Sequence, residues 1–136
     1  MTTLRDHQIL VWFVLGATGA LVVSNSYIAN SRWGLVNVGT GAALVVVSDS
    51  VFSNNNNTGV SLEGGVTAML RNVLLSHNGA GVTAANDTVI RVTRSTITDN
   101  SVGLFPFGTG QIISFGDNSI AGNTSGELPT GTIALK

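Results

Sequence analysis

His77, Asp99, Arg94 and Asp117 are the residues of this 136-residue chain whose types suit acid–base chemistry. A histidine oriented by an aspartate is half of a nucleophile-activating triad. The other half is a hydroxyl within hydrogen-bond reach, and Ser53 and Ser76 are the nearest serines, although strand alternation turns them away from His77. Glu63 and Asp87 form a second pair, a weak hint of Ca²⁺, which usually takes six or more oxygen ligands. The chain has no cysteine, so thiol nucleophiles, thiolate metal sites and disulfides are excluded. Gly39-Thr40-Gly41 and Gly108-Thr109-Gly110 do not open helices, so they read as turns and not as phosphate cradles. No cofactor is expected.

These side chains are positioned by a repeat. One seven-residue pattern occurs five times, at residues 25–31 (NSYIANS), 49–55 (DSVFSNN), 72–78 (NVLLSHN), 94–100 (RSTITDN) and 117–123 (DNSIAGN), with starts 24, 23, 22 and 23 residues apart. Each copy follows a β-prone run (residues 21–24, 44–48, 68–71, 90–93 and 112–116). The first four copies precede a glycine and a short strand: Gly34-Leu35-Val36, Gly59-Val60-Ser61, Gly81-Val82-Thr83 and Gly103-Leu104-Phe105. Valine supplies 17 residues, while Glu, Gln and Lys together supply five, which argues for an all-β chain. Three short strands in a unit of this length cannot pair as hairpins without breaking the period. Stacking equivalent strands from successive units satisfies every backbone ladder. The predicted fold is an all-β, right-handed parallel β-helix solenoid of about five coils with three short strands per coil.

Parity assigns the faces. Val23, Val47, Leu70, Val92 and Phe115 form one inward column, Ser26, Ser50, Val73, Ser95 and Asn118 the next, and Ile28, Phe52, Leu75, Ile97 and Ile120 a third. The serines can bond a neighbouring coil instead of water. Asn55, Asn78, Asn100 and Asn123, with Ser31 in the first copy, close the heptapeptides and read as a structural ladder, since asparagine tolerates a left-handed bend and stacked amides bond from coil to coil. Stacking sets His77 beside Asp99 and Arg94 beside Asp117, the latter as a surface ion pair of little energetic weight. It sets Asp49 three coils from Asp117, about 14 Å away, beyond the ~5–9.5 Å that paired-carboxylate hydrolysis uses. Outward lie Val22, Val46, Met69, Arg91 and Ser114, and across the bend Tyr27, Val51, Leu74, Thr96 and Ser119. The apolar members Val22, Tyr27, Val46, Val51, Met69 and Leu74 make an exposed patch of the kind that marks an interface.

This arrangement resembles the right-handed parallel β-helix family, the pectate-lyase-like superfold with its asparagine ladder, over about residues 21–123. The tail resembles the end of uncharacterised bacterial β-helix repeat proteins. The resemblance implies that a polysaccharide lyase would display a calcium-binding carboxylate cluster and a basic proton acceptor on one outer sheet, and acids are few here. It also implies a location outside the cell or at its surface.

We read residues 1–136 as a single domain: an incomplete first coil or cap over 1–20, regular coils over 21–123 and a tail over 124–136. Residues 9–15 are apolar and small residues follow, as in a secretory leader. Arg5 is offset by Asp6, however, and the run is too short to span a bilayer. Residues 9–13 fit better as a strand one repeat before residues 35–39. The expected function is a non-enzymatic structural or interaction module that self-associates, stacks end to end, or presents a surface to carbohydrate or protein. The alternative is a polysaccharide lyase- or hydrolase-like enzyme, or an inactive remnant of one. A net charge of −1 argues against nucleic acid as a partner.

Overall fold

The computed structural model describes residues 11–13, 19–37 and 42–134. Among them every strand pairing is parallel, between equivalent segments of successive units, and the chain winds as a solenoid of about five turns. The first sheet stacks Ala20–Ser24, the start of Leu44–Ser53, the start of Thr67–Ser76, Val89–Thr93, Gln111–Ser114 and Gly131–Thr132. The second stacks Tyr27–Ala29, the ends of Leu44–Ser53 and Thr67–Ser76, Thr96–Thr98 and Ser119–Ile120. In the second and third coils these two sheets share one unbroken ten-residue strand each, so the bend between them is made by a single residue. The third sheet stacks Val11–Phe13, Trp33–Asn37, Thr58–Glu63, Ala80–Ala85 and Val102–Phe107.

The interior follows from that register. Leu21, Val45, Ala68, Ile90 and Ile112 lie over one another, as do Ile28, Phe52, Leu75, Ile97 and Ile120, and on the third sheet Leu35, Val60, Val82 and Leu104. Most of these side chains are fully buried, and they form one continuous core. The serine column bonds as its position requires. Ser50 Oγ accepts the Ser26 N–H at 3.2 Å and donates to the Ser48 carbonyl at 2.8 Å, and Ser95 Oγ accepts the Val73 N–H at 3.1 Å. A hydroxyl inside the core is tolerated because both its bonds are made. At Gly81 the coils approach so closely that an added Cβ would stand 2.6 Å from the Gly103 carbonyl oxygen and 3.0 Å from Ile97 Cγ2. Hydrogen alone fits there.

Two registers differ from the sequence reading. Val11–Phe13 pairs with Leu35–Asn37, two residues away from the expected offset. Residues 9, 10, 38 and 39 lie outside the described residues. In the fifth coil Ser114, not Phe115, stands under Val92, so Ser114 is inward and buried while Ile113 takes the outward place under Arg91. The cause is one extra residue in the bend. Val92 and Ser95 are separated by two residues, Ser114 and Asn118 by three, and the left-handed position passes from Asp117 to Gly116 (φ 83°).

Candidate functional site

Two columns of left-handed residues bracket the second strand of each coil. The first is Asn25, Asp49, Asn72 and Arg94, with φ of 50°, 51°, 52° and 48°. The second is Asn30, Asn54, His77, Asp99 and Gly122, with φ of 59°, 57°, 56°, 57° and 77°. The residues singled out for chemistry therefore sit where the backbone itself selects Asn, Asp, His or Gly, the types that enter the left-handed region at least cost. Their recurrence is explained by bending alone. Arg94 is the member of neither preferred class.

His77 and Asp99 occupy successive bends, both exposed, and among the described residues no hydrogen bond or ion contact joins them. Ser76 Oγ donates to Ser53 Oγ at 3.5 Å, so these hydroxyls bond each other and not the imidazole. Asp117 reaches back one coil. It accepts the Thr93 hydroxyl at 2.6 Å and the backbone N–H of Arg94 at 3.1 Å, and no contact shorter than 4.0 Å joins it to the guanidinium. The Thr93 hydroxyl holds the Asp117 carboxyl below the usual carboxylate range, desolvation opposes it, and the Arg94 N–H adds to the lowering. A depressed carboxylate contributes stability above its ordinary pKa and loses it as pH falls through the depressed value. Thr93→Val should therefore be less stable than the parent at pH 7, and the gap should close as the pH falls below the ordinary aspartate range. Thermal unfolding midpoints of the two proteins from pH 7 to pH 2 check this.

Glu63 and Asp87 flank the third bend without converging. Glu63 Oε2 accepts from Asn86 Nδ2 at 3.3 Å, while the Asp87 N–H donates to Thr109 Oγ1 at 2.8 Å. Asn86 and Asp87 are both left-handed (φ 50° and 64°) and lie one coil on from Gly64 and Gly65 (φ 87° and 83°). Among the described residues no group of three or more His, Cys, Asp or Glu is placed to hold a metal ion.

The ladder residues converge instead. Asn55 Nδ2 donates to Asn78 Oδ1 at 3.0 Å, Asn78 Nδ2 to Asn100 Oδ1 at 3.1 Å, and Asn100 Nδ2 to Asn123 Oδ1 at 2.9 Å. Each Oδ1 also accepts the backbone N–H of the preceding ladder residue, and each Nδ2 also donates to a core-strand carbonyl of the coil before: Ile28, Phe52, Leu75 and Ile97 in turn.

A groove of about 290 Å³ opens at the first bend, lined by Asp49, Ser50, Val51, Asn72, Val73, Leu74, Arg94 and Thr96. Its polar wall is the left-handed column, in which Asn72 Nδ2 donates to Asp49 Oδ1 at 2.7 Å. Its apolar floor belongs to the outward column Tyr27, Val51, Leu74, Thr96 and Ser119, in register throughout. On the far side of the bend Val22, Val46, Met69, Arg91 and Ile113 are likewise in register. Val22, Tyr27 and Leu74 are 49%, 41% and 37% exposed, and Leu44 adds another exposed aliphatic at 48%; Val46, Val51 and Met69 are half-buried. Arg71 lies in the same coil as Met69 and Leu74, and Arg91 and Arg94 lie in the next, whereas Arg32 lies 4.5 Å over the Trp33 ring. The sequence reading missed a second apolar patch: Phe105 and Phe107 stand edge to face at 6.1 Å on the outside of the third sheet, 45% and 59% exposed. Their i, i+2 spacing on a strand was the available signal, hidden by Pro106 between them.

A family model described as the right handed beta helix region matches residues 12–128, most of the chain. The chain belongs to that family. The stacked coils and the buried asparagine ladder of this β-helix protein agree with the match. No curated protein and no solved structure matches it. Its fold is consistent with a structural or carbohydrate-associated role in general, and among the described residues no helix is long and apolar enough to cross a membrane.

Proposed function

We propose that this β-helix is a non-enzymatic interaction module whose working surface is the outer face around the first bend, and that a second copy of the chain is its first partner. The observation that carries the reading is the in-register pair of outward columns, which leaves Val22, Tyr27 and Leu74 exposed, Leu74 on the lining of the groove. Each column stacks apolar side chains rung on rung, the type of surface that monomers seldom leave in water, with the polar row of Asn25, Asp49 and Asn72 running between the two. The residues with acid–base potential support catalysis poorly: His77 and Asp99 are unjoined, and the Asp117 carboxylate is taken up by Thr93 and Arg94.

Sedimentation velocity across a range of concentrations tests this. The parent chain should associate as concentration rises, and Leu74→Asp, on the floor of the groove, should weaken association about tenfold or more, equivalent to at least ~1.4 kcal/mol, with its far-ultraviolet spectrum unchanged. A strict monomer at high concentration would reject self-association.

A second reading is favoured by one arginine. Arg94, which lines the groove, suits an acidic glycan, with which a guanidinium group forms paired hydrogen bonds. A soluble glycan screen with and without Ca²⁺ separates binding from turnover. Turnover lost in His77→Ala or Arg94→Ala would replace the module with a carbohydrate-active enzyme.

A further inference from the structure

Asn78, an inner rung of the ladder, is followed by Gly79, and this is the only Asn-Gly pair in the chain. A residue without a Cβ leaves its backbone nitrogen free to approach the preceding carboxamide, so this dipeptide is the one most prone to cyclise. The other ladder asparagines precede Asn56, Ser101 and Thr124, whose side chains hinder that approach.

Packing imposes the glycine all the same. The second coil spends one residue more between Asn55 and Thr58 than the third spends between Asn78 and Ala80, yet Thr58 and Ala80 pair. The extra length crowds the next coil. A Cβ added at Gly79 would stand 2.5 Å from the carbonyl oxygens of both Asn56 and Asn57. The fold thus places its most reactive asparagine inside its ladder.

The closed solenoid holds both reacting groups. The Gly79 N–H donates to the Asn55 carbonyl at 3.0 Å. Asn78 Oδ1 accepts the N–H and Nδ2 of Asn55 at 3.0 Å each, and Asn78 Nδ2 donates to the Phe52 carbonyl and to Asn100 Oδ1 at 3.1 Å each. Only opening of the coil releases the attacking nitrogen and the carbon it would attack.

We propose that Asn78-Gly79 is a self-modification site, silent in the closed solenoid and triggered when the third coil opens. In the open chain the Gly79 nitrogen loses its proton and bonds to Asn78 Cγ, the Cγ–Nδ2 bond breaks, and Nδ2 leaves as ammonia. Water then opens the cyclic imide at either carbonyl, giving aspartate or isoaspartate. Neither product fits the ladder. An aspartate carboxylate has no hydrogen for the Phe52 carbonyl or Asn100 Oδ1, and sets a buried anion against two acceptors. Isoaspartate also adds a carbon to the backbone, which puts the N–H and carbonyl groups after it out of step with their partners. An opening that lasts long enough to cyclise becomes irreversible. The site lies across the second sheet from the first-bend groove and does not depend on what binds there.

The full-length parent tests this, incubated at pH 8 in buffer and in guanidinium chloride above its unfolding midpoint, with peptide mapping and an isoaspartate assay at residue 78. Conversion should be at least tenfold slower in buffer than in denaturant, and equal rates would overturn the proposal. In denaturant Asn78 should convert several times faster than Asn100, which precedes serine; a rate no faster would also overturn it. Converted and unconverted chains, separated by their charge, are then returned to buffer. The unconverted chains should regain the parent's far-ultraviolet spectrum and unfolding midpoint while the converted chains do not. Recovery that fails to differ between the two would overturn the proposal. Asn78→Asp, produced directly, reads the lesion without a refolding step: it should unfold at lower denaturant than the parent or not fold, and an unchanged midpoint would contradict the exclusion of aspartate from the ladder.

Discussion

Asn78→Ala is expected to lower the free energy of unfolding by about 3–5 kcal/mol, a large part of the roughly 5–15 kcal/mol that domains of this size possess. The side chain sits in the middle of the ladder with both atoms committed. Its Oδ1 accepts the N–H and Nδ2 of Asn55, and its Nδ2 donates to the Phe52 carbonyl and to Asn100 Oδ1. Truncation takes a partner from four polar groups on two neighbouring coils, in a place that is 3% exposed and so closed to bulk water. Each deprived group costs about 1–3 kcal/mol, reduced where the Asn55 amide keeps its bond to the Ile28 carbonyl. Urea unfolding should show a lower midpoint with an unchanged slope. The exposed Asn54→Gly, one coil earlier, keeps the left-handed backbone (φ 57°), breaks only the bond from its Nδ2 to Asn30 Oδ1 at 2.6 Å, and should cost about 1 kcal/mol or less.

Phe52→Ala should cost as much for an unrelated reason. Phe52 is the largest fully buried side chain in the core, stacked between Ile28 above and Leu75 below. Removing it forfeits the transfer energy of the ring and leaves a hole that the rigid coils close poorly, about 3–5 kcal/mol in all. Phe52→Leu keeps most of the volume, makes the column aliphatic throughout, and should cost about 1.5 kcal/mol or less. Guanidinium unfolding of both variants checks the ratio.

The fold was legible in the sequence because a period of 22–24 residues brings like onto like, and burial selects for it at every rung. Ile28, Phe52, Leu75, Ile97 and Ile120 could be aligned from chain positions alone, and they stack as aligned. The asparagines were legible for the same reason. The fifth coil was misread at Phe115 because an inserted residue in a bend leaves the heptapeptide intact while shifting the strand before it. Spacing counts residues; it does not say which of them the bend absorbs. Glu127, which accepts the N–H and Nδ2 of Asn123, was invisible because it copies an asparagine's bonds from outside the repeat. Arg94 and Asp117 were seen as neighbours, but the bond that forms runs to the backbone of Arg94, and side-chain types alone do not reveal that preference.

Every column depends on parallel, in-register stacking, which a nuclear Overhauser spectrum of the labelled protein reads out. It should connect backbone protons of residues 22–24 apart along whole columns, such as Tyr27 with Val51, Val51 with Leu74, and Leu74 with Thr96. Close pairs of α-protons whose sequence separation shrinks steadily toward a turn, the mark of antiparallel hairpins, would contradict it.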